Sequence, residues 1–472
     1  MKTETATLAD GQKLEYIPDV IGEGGFKRVY FSKDGKSVVC FFKEQAPYAD
    51  PRQLERLNGL IGKYNPTLHP ETGKYFSQLF CWPFAVVVRP EVGIVAPRYP
   101  ANFFFASGRW KGQEKNGKWF ASPKLRKLLP PEERGNWKNY VELCTSMARG
   151  VRRMHLTGLA HSDLSCNNIL IDPPNGRSVI IDVDSLAVPG VIPAVVAGTP
   201  GYIAPEVVAT LHLQQTDPKR KLPCNYTDMH ALAVSIYEYL LRRHPLKGPK
   251  VHHTDPTEDD RLSFGEKALF VEHPTDASNR PKGLTPPLDV LGPLLKAVFM
   301  KAFVTGLHDP SKRPTASEWE GALSKTQDLL VPCANDACEE KWFVQLDGQP
   351  LQCPWCGTRI KTKLPILDFL YPPKPGQYRP ELHRLIGYHR RPLFPWHIHT
   401  NVKNDERTSM EPQAEVYLHS EGWVLLNHKL PSLISPTGNP VPMGQACHLR
   451  DGEEVLLSRD DRGRMIAVRM TV

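Results

Sequence analysis

Apolar and polar positions alternate with the period of strands from about residue 15 to 45. The run LEYIPDVIGEGGFKRVYFSKDGKSVVCFFK predicts strand, glycine turn, strand, an Asp34-Gly35 hairpin turn and a third strand. DPRQLERLNGLIGKY follows with helical spacing, with Asp50 as N-cap and Pro51 in the first turn. FAVVVRP and VGIVAPRY predict two more strands. Residues 106–136 are basic, with Gly and Pro, and read as an inserted loop or lid. Tyr140, Leu143, Met147, Val151 and Met154 then recur at helical spacing and predict a long helix with an apolar core face. From about 205 to 328 the pattern is mainly helical, with a polar break at 247–282. Beyond a cysteine-rich unit and a Pro-rich stretch, YPPKPGQYRP, the chain from about 385 alternates as short strands.

Length adds an expectation of two to four domains, since 472 residues exceed a single typical core. A 40% share of hydrophobic residues excludes wholesale disorder. The net charge of +8 suits an anionic ligand but is too mild to argue for nucleic acid. The start carries no signal-type apolar segment, and no run of about 18 apolar residues occurs, so a cytoplasmic protein without a membrane span is expected. Six of the ten cysteines are scattered singly, which fits reduced thiols.

Three segments carry candidate chemistry. Gly22, Gly24 and Gly25 lie between two strand-like runs, where a side-chain-free backbone can approach phosphate. An ordinary Gly-rich hairpin has the same composition. Lys43 ends VVCFFK on the next strand and could reach back to phosphate, with Glu55 on the following helix as its acidic partner. HSDLSCNNILID, 161–172, places Asp163 and Asn168 five residues apart before an apolar run. A surface turn would use the same residues; a catalytic loop would use them as base and metal ligand.

Together these segments resemble the eukaryotic-type protein kinases. GEGGFKRV is similar to the family's Gly-rich loop, VVCFFK to its ATP-lysine strand and HSDLSCNN to its catalytic loop. VIIDVDSL resembles the metal-binding segment, and GTPGYIAPE, 198–206, the end of the activation segment. TDMHALAVSIYEYLLRRHPLKG resembles the helix that anchors the catalytic loop, with Asp228 in the anchoring position. DPSKRPTASEWEGAL resembles the closing helix, in which Arg313 would pair with Glu206. The resemblance spans about residues 15–328. WPFAVVV and VGIVAPRYP are similar to a bacterial branch of these kinases. Some members of that branch are associated with tellurite resistance and stress, and work beside a metal-dependent phosphatase.

The resemblance implies that Lys43, Gly22, Gly24, Gly25 and Val29 hold ATP, with Glu55 setting Lys43. Asn168 and Asp182 would bind Mg²⁺ or Mn²⁺ through hard oxygens, and Asp163 would orient the substrate hydroxyl. Asp184 competes with Asp182 for the metal, as second ligand or plain turn residue. Thr199 is similar to the threonine that braces the catalytic Asp in Ser/Thr kinases. The pattern also departs from the family. Lys27 replaces the loop's third glycine. Ser162 replaces the Arg before the catalytic Asp, and Ser165 replaces a Lys that touches the γ-phosphate.

Cys333, Cys338, Cys353 and Cys356 form two pairs on tight turns, a pattern that matches a tetrahedral structural zinc site. The tail, notably GWVLLN and LRDGEEVLL, resembles part of a forkhead-associated sandwich, although the phosphothreonine-reading Arg and Ser are not recognisable. An unrelated small β-domain fits the same pattern.

The expected fold class is α+β. A bilobal kinase-like domain spans 10–328, with an N-lobe of about 10–99 and a C-lobe of about 100–328. A zinc ribbon (329–362), a Pro-rich linker (363–384) and an all-β, sandwich-like domain (385–472) follow. The expected function is ATP- and Mg-dependent transfer to Ser/Thr hydroxyls of protein substrates, with C-terminal docking modules and a cognate phosphatase as a further partner. The alternative is a pseudokinase or nucleotide-sensing scaffold, which Ser162, Ser165 and Asp-Val-Asp favour.

Overall fold

The computed structural model describes residues 2–187, 197–214, 216–374 and 376–472. The chain divides into two compact units. The first comprises 1–135, 142–284 and 298–320; the second comprises 136–141, 285–297 and 321–472. Among the described residues no helix is long and apolar enough to cross a membrane.

In the first unit, six strands close into an antiparallel barrel: β1 (Glu4–Leu8), β2 (Lys13–Glu23), β3 (Lys27–Ser32), β4 (Ser37–Phe42), β5 (Ala85–Arg89) and β6 (Gly93–Pro97). Their order around the barrel is β1-β2-β3-β4-β6-β5. The alternation read from the sequence decides which side chains fill it. Tyr16, Tyr30, Val39 and Phe41 lie in its core, and the three rings meet edge to face at 5.4–5.6 Å. The opposite parity of β4, Cys40 and Phe42, packs with Leu57 of helix α1 (Pro51–Ile61). Asp50 caps that helix by accepting from Arg52 N. Gly93 is required where β6 crosses β4, because a Cβ there would lie 2.2 Å from the Cys40 carbonyl oxygen.

The rest of the first unit is mainly helical. Leu143, Met147, Val151 and Met154 are buried as their spacing predicts. The helix Asn225–Leu241 is apolar nearly all round and buried through most of its length, as a central helix must be. A short hairpin, β7 (Ile169–Asp172) with β8 (Arg177–Ile180), follows the 161–168 loop. Arg313 forks onto Glu206 with bonds of 2.8 and 2.7 Å, the expected pairing.

In the second unit, β9 (Leu330–Pro332) pairs with β10 (Trp342–Val344). Two four-stranded antiparallel sheets follow. One has the order β12-β11-β18-β17, from β11 (Pro365–Lys374), β12 (Gln377–Ile386), β17 (Glu454–Leu456) and β18 (Met465–Met470). The other has the order β13-β14-β15-β16, from β13 (Arg391–Leu393), β14 (Ala414–His419), β15 (Gly422–Asn427) and β16 (Ala446–His448). The segment 363–384, expected as a linker, is therefore mostly sheet. Its prolines are tolerated by position. Pro372 and Pro373 fall beyond residues 365–370, where β18 pairs with β11, and Pro380 lies on the edge strand β12. Gly376, at φ +76°, makes the turn.

Asp328 in the second unit is a buried hub that sequence patterning did not show. It accepts from Arg391 at 2.7 Å, His383 at 2.8 Å and His397 at 3.2 Å. Burial would raise its carboxyl, but His397 and His383 outweigh that and hold it far below the usual carboxylate range. The trio has the composition of a metal-ligand set. However, His397 Nδ1 accepts from Phe394 N, so Nε2 carries the proton and donates to Asp328.

Because Arg313 is 1% exposed in its side chain and Glu206 only 23%, cutting the pair leaves a charge stranded in the interior. Arg313→Ala is expected to lower unfolding stability by about 3–5 kcal/mol, measured by urea denaturation of the full chain.

Candidate functional site

A cleft of about 900 Å³ lies against the outer face of the barrel. Gly22 of β2, Lys27, Val29 and Phe31 of β3, and Val38 and Cys40 of β4 line one wall. Asp182 and Asp184 close its inner end. Gly112 and Glu114 from the 106–136 insert contribute to the wall as well, so the insert helps to build the cleft. Burial, followed by the nearby Asp182, raises the Glu114 carboxyl above its usual range.

The cation at the inner end is Lys27. Its ammonium donates to Asp184 at 2.7 Å and to Asp182 at 2.9 Å. Burial alone would lower the ammonium's pKa, but Asp184 and then Asp182 outweigh it and hold it well above the usual lysine range. At Asp182 desolvation would raise the carboxyl, but Lys27 outweighs it and holds that carboxyl below its usual range.

Lys43, the expected phosphate lysine, does not reach the cleft. It pairs with Glu23 at 2.7 Å. The pleat explains this correction. Even positions of β4, Val38 and Cys40, face the cleft, whereas odd positions, Val39 and Phe41, fill the barrel. Cys40 thus stands in the cleft wall, and Lys43 lies past the strand end with the opposite parity. On β3, the odd residues Lys27, Val29 and Phe31 all face the cleft. The departure noted as a replaced glycine supplies the missing cation.

Glu55, the expected partner of Lys43, is exposed. The next residue, Arg56, turns inward instead. It is 5% exposed and donates to the backbone carbonyls of Asp184 at 2.7 Å and Leu186 at 2.9 Å. Helical rotation of one residue, about 100°, separates the two faces. Gly24 and Gly25 form the turn between β2 and β3, closed by Gly24 N donating to Lys27 O at 3.0 Å.

The catalytic-loop reading gains its geometry from Asp228. Its buried carboxylate accepts from His161 N at 2.6 Å and Ser162 N at 3.1 Å. This fixes a bend in which Ser162 has φ +66°. Asp163 then accepts from Thr199 Oγ1 at 2.7 Å and from Asn168 Nδ2 at 2.9 Å. Asn168 Nδ2 also donates to the Asp163 carbonyl at 2.8 Å. With both amide hydrogens spent, the side-chain oxygen is what Asn168 can present to an ion. His161 is a brace: its Nε2 donates to Ile181 O at 2.9 Å. Ile181 N donates to Asn168 O at 3.0 Å. One residue, Ile181, thereby ties the Asp163–Asn168 loop to Asp182, whose backbone is left-handed at φ +58°.

Asp163 and Asn168 are thus bonded to each other, their loop is tied through Ile181 to the segment that carries Asp182 and Asp184, and Gly22 and Val29 lie on the cleft wall. Lys43 and Glu55 do not. Arg56 was missed as a working residue, and Lys27 was not expected in the place given to Lys43, although strand parity was the available signal for it.

In the second unit, the four cysteine sulfurs converge. All lie within 4.8 Å of one another. Cys333 and Cys356 Sγ are 3.5 Å apart, and Cys338 and Cys353 Sγ 3.9 Å. A disulfide needs about 2.05 Å. Ligands at about 2.3 Å from a tetrahedral ion stand roughly 3.8 Å apart. Gly357, at φ +75°, bends the second knuckle. The donor set and spacing fit a tetrahedral thiophilic metal.

Residues 121–322 match the family model described as protein kinase domain. No curated protein matches the chain. Two solved Toxoplasma gondii structures are similar to it: a specific rhoptry antigen kinase domain, 14% identical with TM-score 0.42, and a rhoptry kinase, 15% identical with TM-score 0.41. They cover 69% of this chain and 86% and 85% of their own.

One carboxylate predicts a pH response. Tyr202, in the 198–206 segment, donates to Glu238, and burial pushes that carboxyl from 4.5 up to about 7. A raised carboxyl binds its proton more tightly when folded. Its stabilisation is therefore complete below about pH 4.5 and lost as pH rises through about 7. Glu238→Gln is expected to flatten the slope of urea stability against pH between 5 and 8; an unchanged slope would assign it to other groups.

Proposed function

We propose that this chain is an ATP- and Mg-dependent protein kinase that phosphorylates Ser or Thr hydroxyls. The carrying observation is that Lys27 meets Asp182 at the cleft while Ile181, the residue before Asp182, is hydrogen-bonded to the loop that carries Asp163 and Asn168. The kinase-domain match over 121–322 supports it. Phosphoryl transfer asks little covalent chemistry of a protein; it asks for charge neutralisation and alignment. Lys27 would hold phosphate oxygens, while Asn168 and Asp182 would hold the magnesium ion, which neutralises charge developing on the phosphates. Asp163, aimed by Thr199 and Asn168, would orient the acceptor hydroxyl and take its proton. The Thr199 bond supports a Ser/Thr acceptor. The Asp228 anchor fixes the loop without the Arg that Ser162 replaces, which supports activity independent of activation-segment phosphorylation.

The four-cysteine unit is read as a structural Zn²⁺ site, since four thiolates leave no open position. The two C-terminal sheets are read as docking modules for protein substrates or for a cognate phosphatase. A nucleotide-sensing scaffold remains the second reading, favoured by Ser165 in place of a γ-phosphate lysine.

Radiolabelled ATP and Mg²⁺ test the first reading. Label on protein Ser or Thr is expected, with Lys27→Ala and Asp163→Ala losing about 10²–10³-fold in rate, the size of a removed charge-stabilising donor. Lys43→Ala should stay within about threefold, because its pair is exposed. ATP-dependent thermal stabilisation with no transfer would select the scaffold. For the cysteine unit, metal analysis should find one zinc per chain. A chelator should lower the melting temperature, and Cys338→Ser should do the same without chelator.

A further inference from the structure

Two aspartates of the cleft, Asp182 and Asp184, bond one lysine, Lys27, while Glu55, the helix carboxylate expected to set Lys43, is absent from the cleft. We propose that Asp184 is the positioning partner of Lys27, that Arg56 holds Asp184 in place, and that Asp182 alone of the two serves the divalent ion. This rests on the nucleotide-binding reading above.

The two carboxylates differ in setting. The Asp184 side chain is 9% exposed and the Asp182 side chain 45%. Mg²⁺ sheds water reluctantly and usually keeps several water ligands. Both carboxylates accept from Lys27, but the more exposed Asp182 has room beside it for a hydrated ion, whereas the buried Asp184 does not. The left-handed backbone at Asp182 divides the roles, because it turns the chain into the short helical turn Val183–Ser185.

Arg56 completes the device. Its Nη2 donates to the carbonyl of Asp184 itself and to that of Leu186, two residues on. These two bonds pin the backbone that carries the Asp184 carboxylate. A helix residue therefore still governs the phosphate lysine, but through the metal-binding segment and with the opposite charge. Arg56 touches neither phosphate nor metal in this arrangement and is a positioning residue.

Two readouts on the full chain separate the roles. The first is ATP binding by calorimetry as Mg²⁺ is titrated. The second is acetylation of Lys27 by an amine-reactive ester, read by mass spectrometry without nucleotide. Asp182→Asn should raise the Mg²⁺ concentration needed for half-maximal enhancement about tenfold, roughly one lost charged ligand, and leave Lys27 protected within about twofold. Asp184→Asn and Arg56→Gln should do the reverse, with Lys27 acetylated about tenfold faster and the Mg²⁺ response within about twofold. Arg56→Lys keeps the charge but lacks the planar guanidinium that aims one nitrogen at both carbonyls, and should fall between. Circular dichroism establishes that each variant is folded. If Asp184→Asn shifts the Mg²⁺ response as far as Asp182→Asn, or if Lys27 is labelled no faster in Asp184→Asn and Arg56→Gln, the proposal is overturned. Failure of the unsubstituted protein to bind ATP would overturn the nucleotide reading instead.

Discussion

The candidate site depends on one buried ammonium set between two carboxylates. Lys27 donates to Asp182 and Asp184, and through them the barrel is joined to the loop that carries Asp163 and Asn168. A buried lysine without partners would shed its proton or unfold its surroundings. With two carboxylates the charge is kept, and the cost of desolvation is offset by short charge-assisted bonds. Binding a nucleotide here means exchanging part of that pairing for phosphate oxygens and a divalent ion. The same ion pair therefore holds charges that a phosphate and a divalent ion can take over.

Strand parity decides which lysine can take this place. On β3 and β4 every second side chain faces the cleft, so a cation must sit on the correct parity as well as at a plausible distance along the chain. Lys43 satisfies distance and fails parity; Lys27 satisfies both. Cys40, on the cleft-facing parity of β4, occupies wall that a longer charged side chain would otherwise fill. Burial pushes its thiol up to about 12, so it remains neutral beside Lys27.

The barrel strands and the Asp50 cap of α1 were legible because their signals are local. The Thr199 brace, the Asp228 anchor and the Arg313–Glu206 pair join residues 36, 66 and 107 positions apart, and were legible only because their segments resemble motifs of a known family. Lys27 and Arg56 depart from that pattern, and their pairings across 155 and 128 positions leave no local signal. The Asp328 hub is hidden in the same manner, since its three partners come from two later strands and a short helix. The 363–384 segment reads as a linker from its proline content, yet it is mostly sheet. What matters is where each missing N–H falls, and these fall at edges and past the pairing of β18.

The departures at Arg56 and Asp184 are linked electrostatically. In the expected arrangement one lysine, one helix glutamate and one metal-binding aspartate meet, with a net charge of −1. Lys27 with Asp182 and Asp184 carries the same −1, and Arg56 brings the sum to zero. An inward Arg56 without Asp184 would be a buried cation short of a counter-charge, which costs several kcal/mol. Paired, they cancel, and the helix keeps its hold on the site through carbonyl oxygens, whose positions do not depend on protonation. Moving the lysine to β3 thus removes the need for a glutamate on α1, and leaves that helix position to a residue that can grip the metal-binding segment directly.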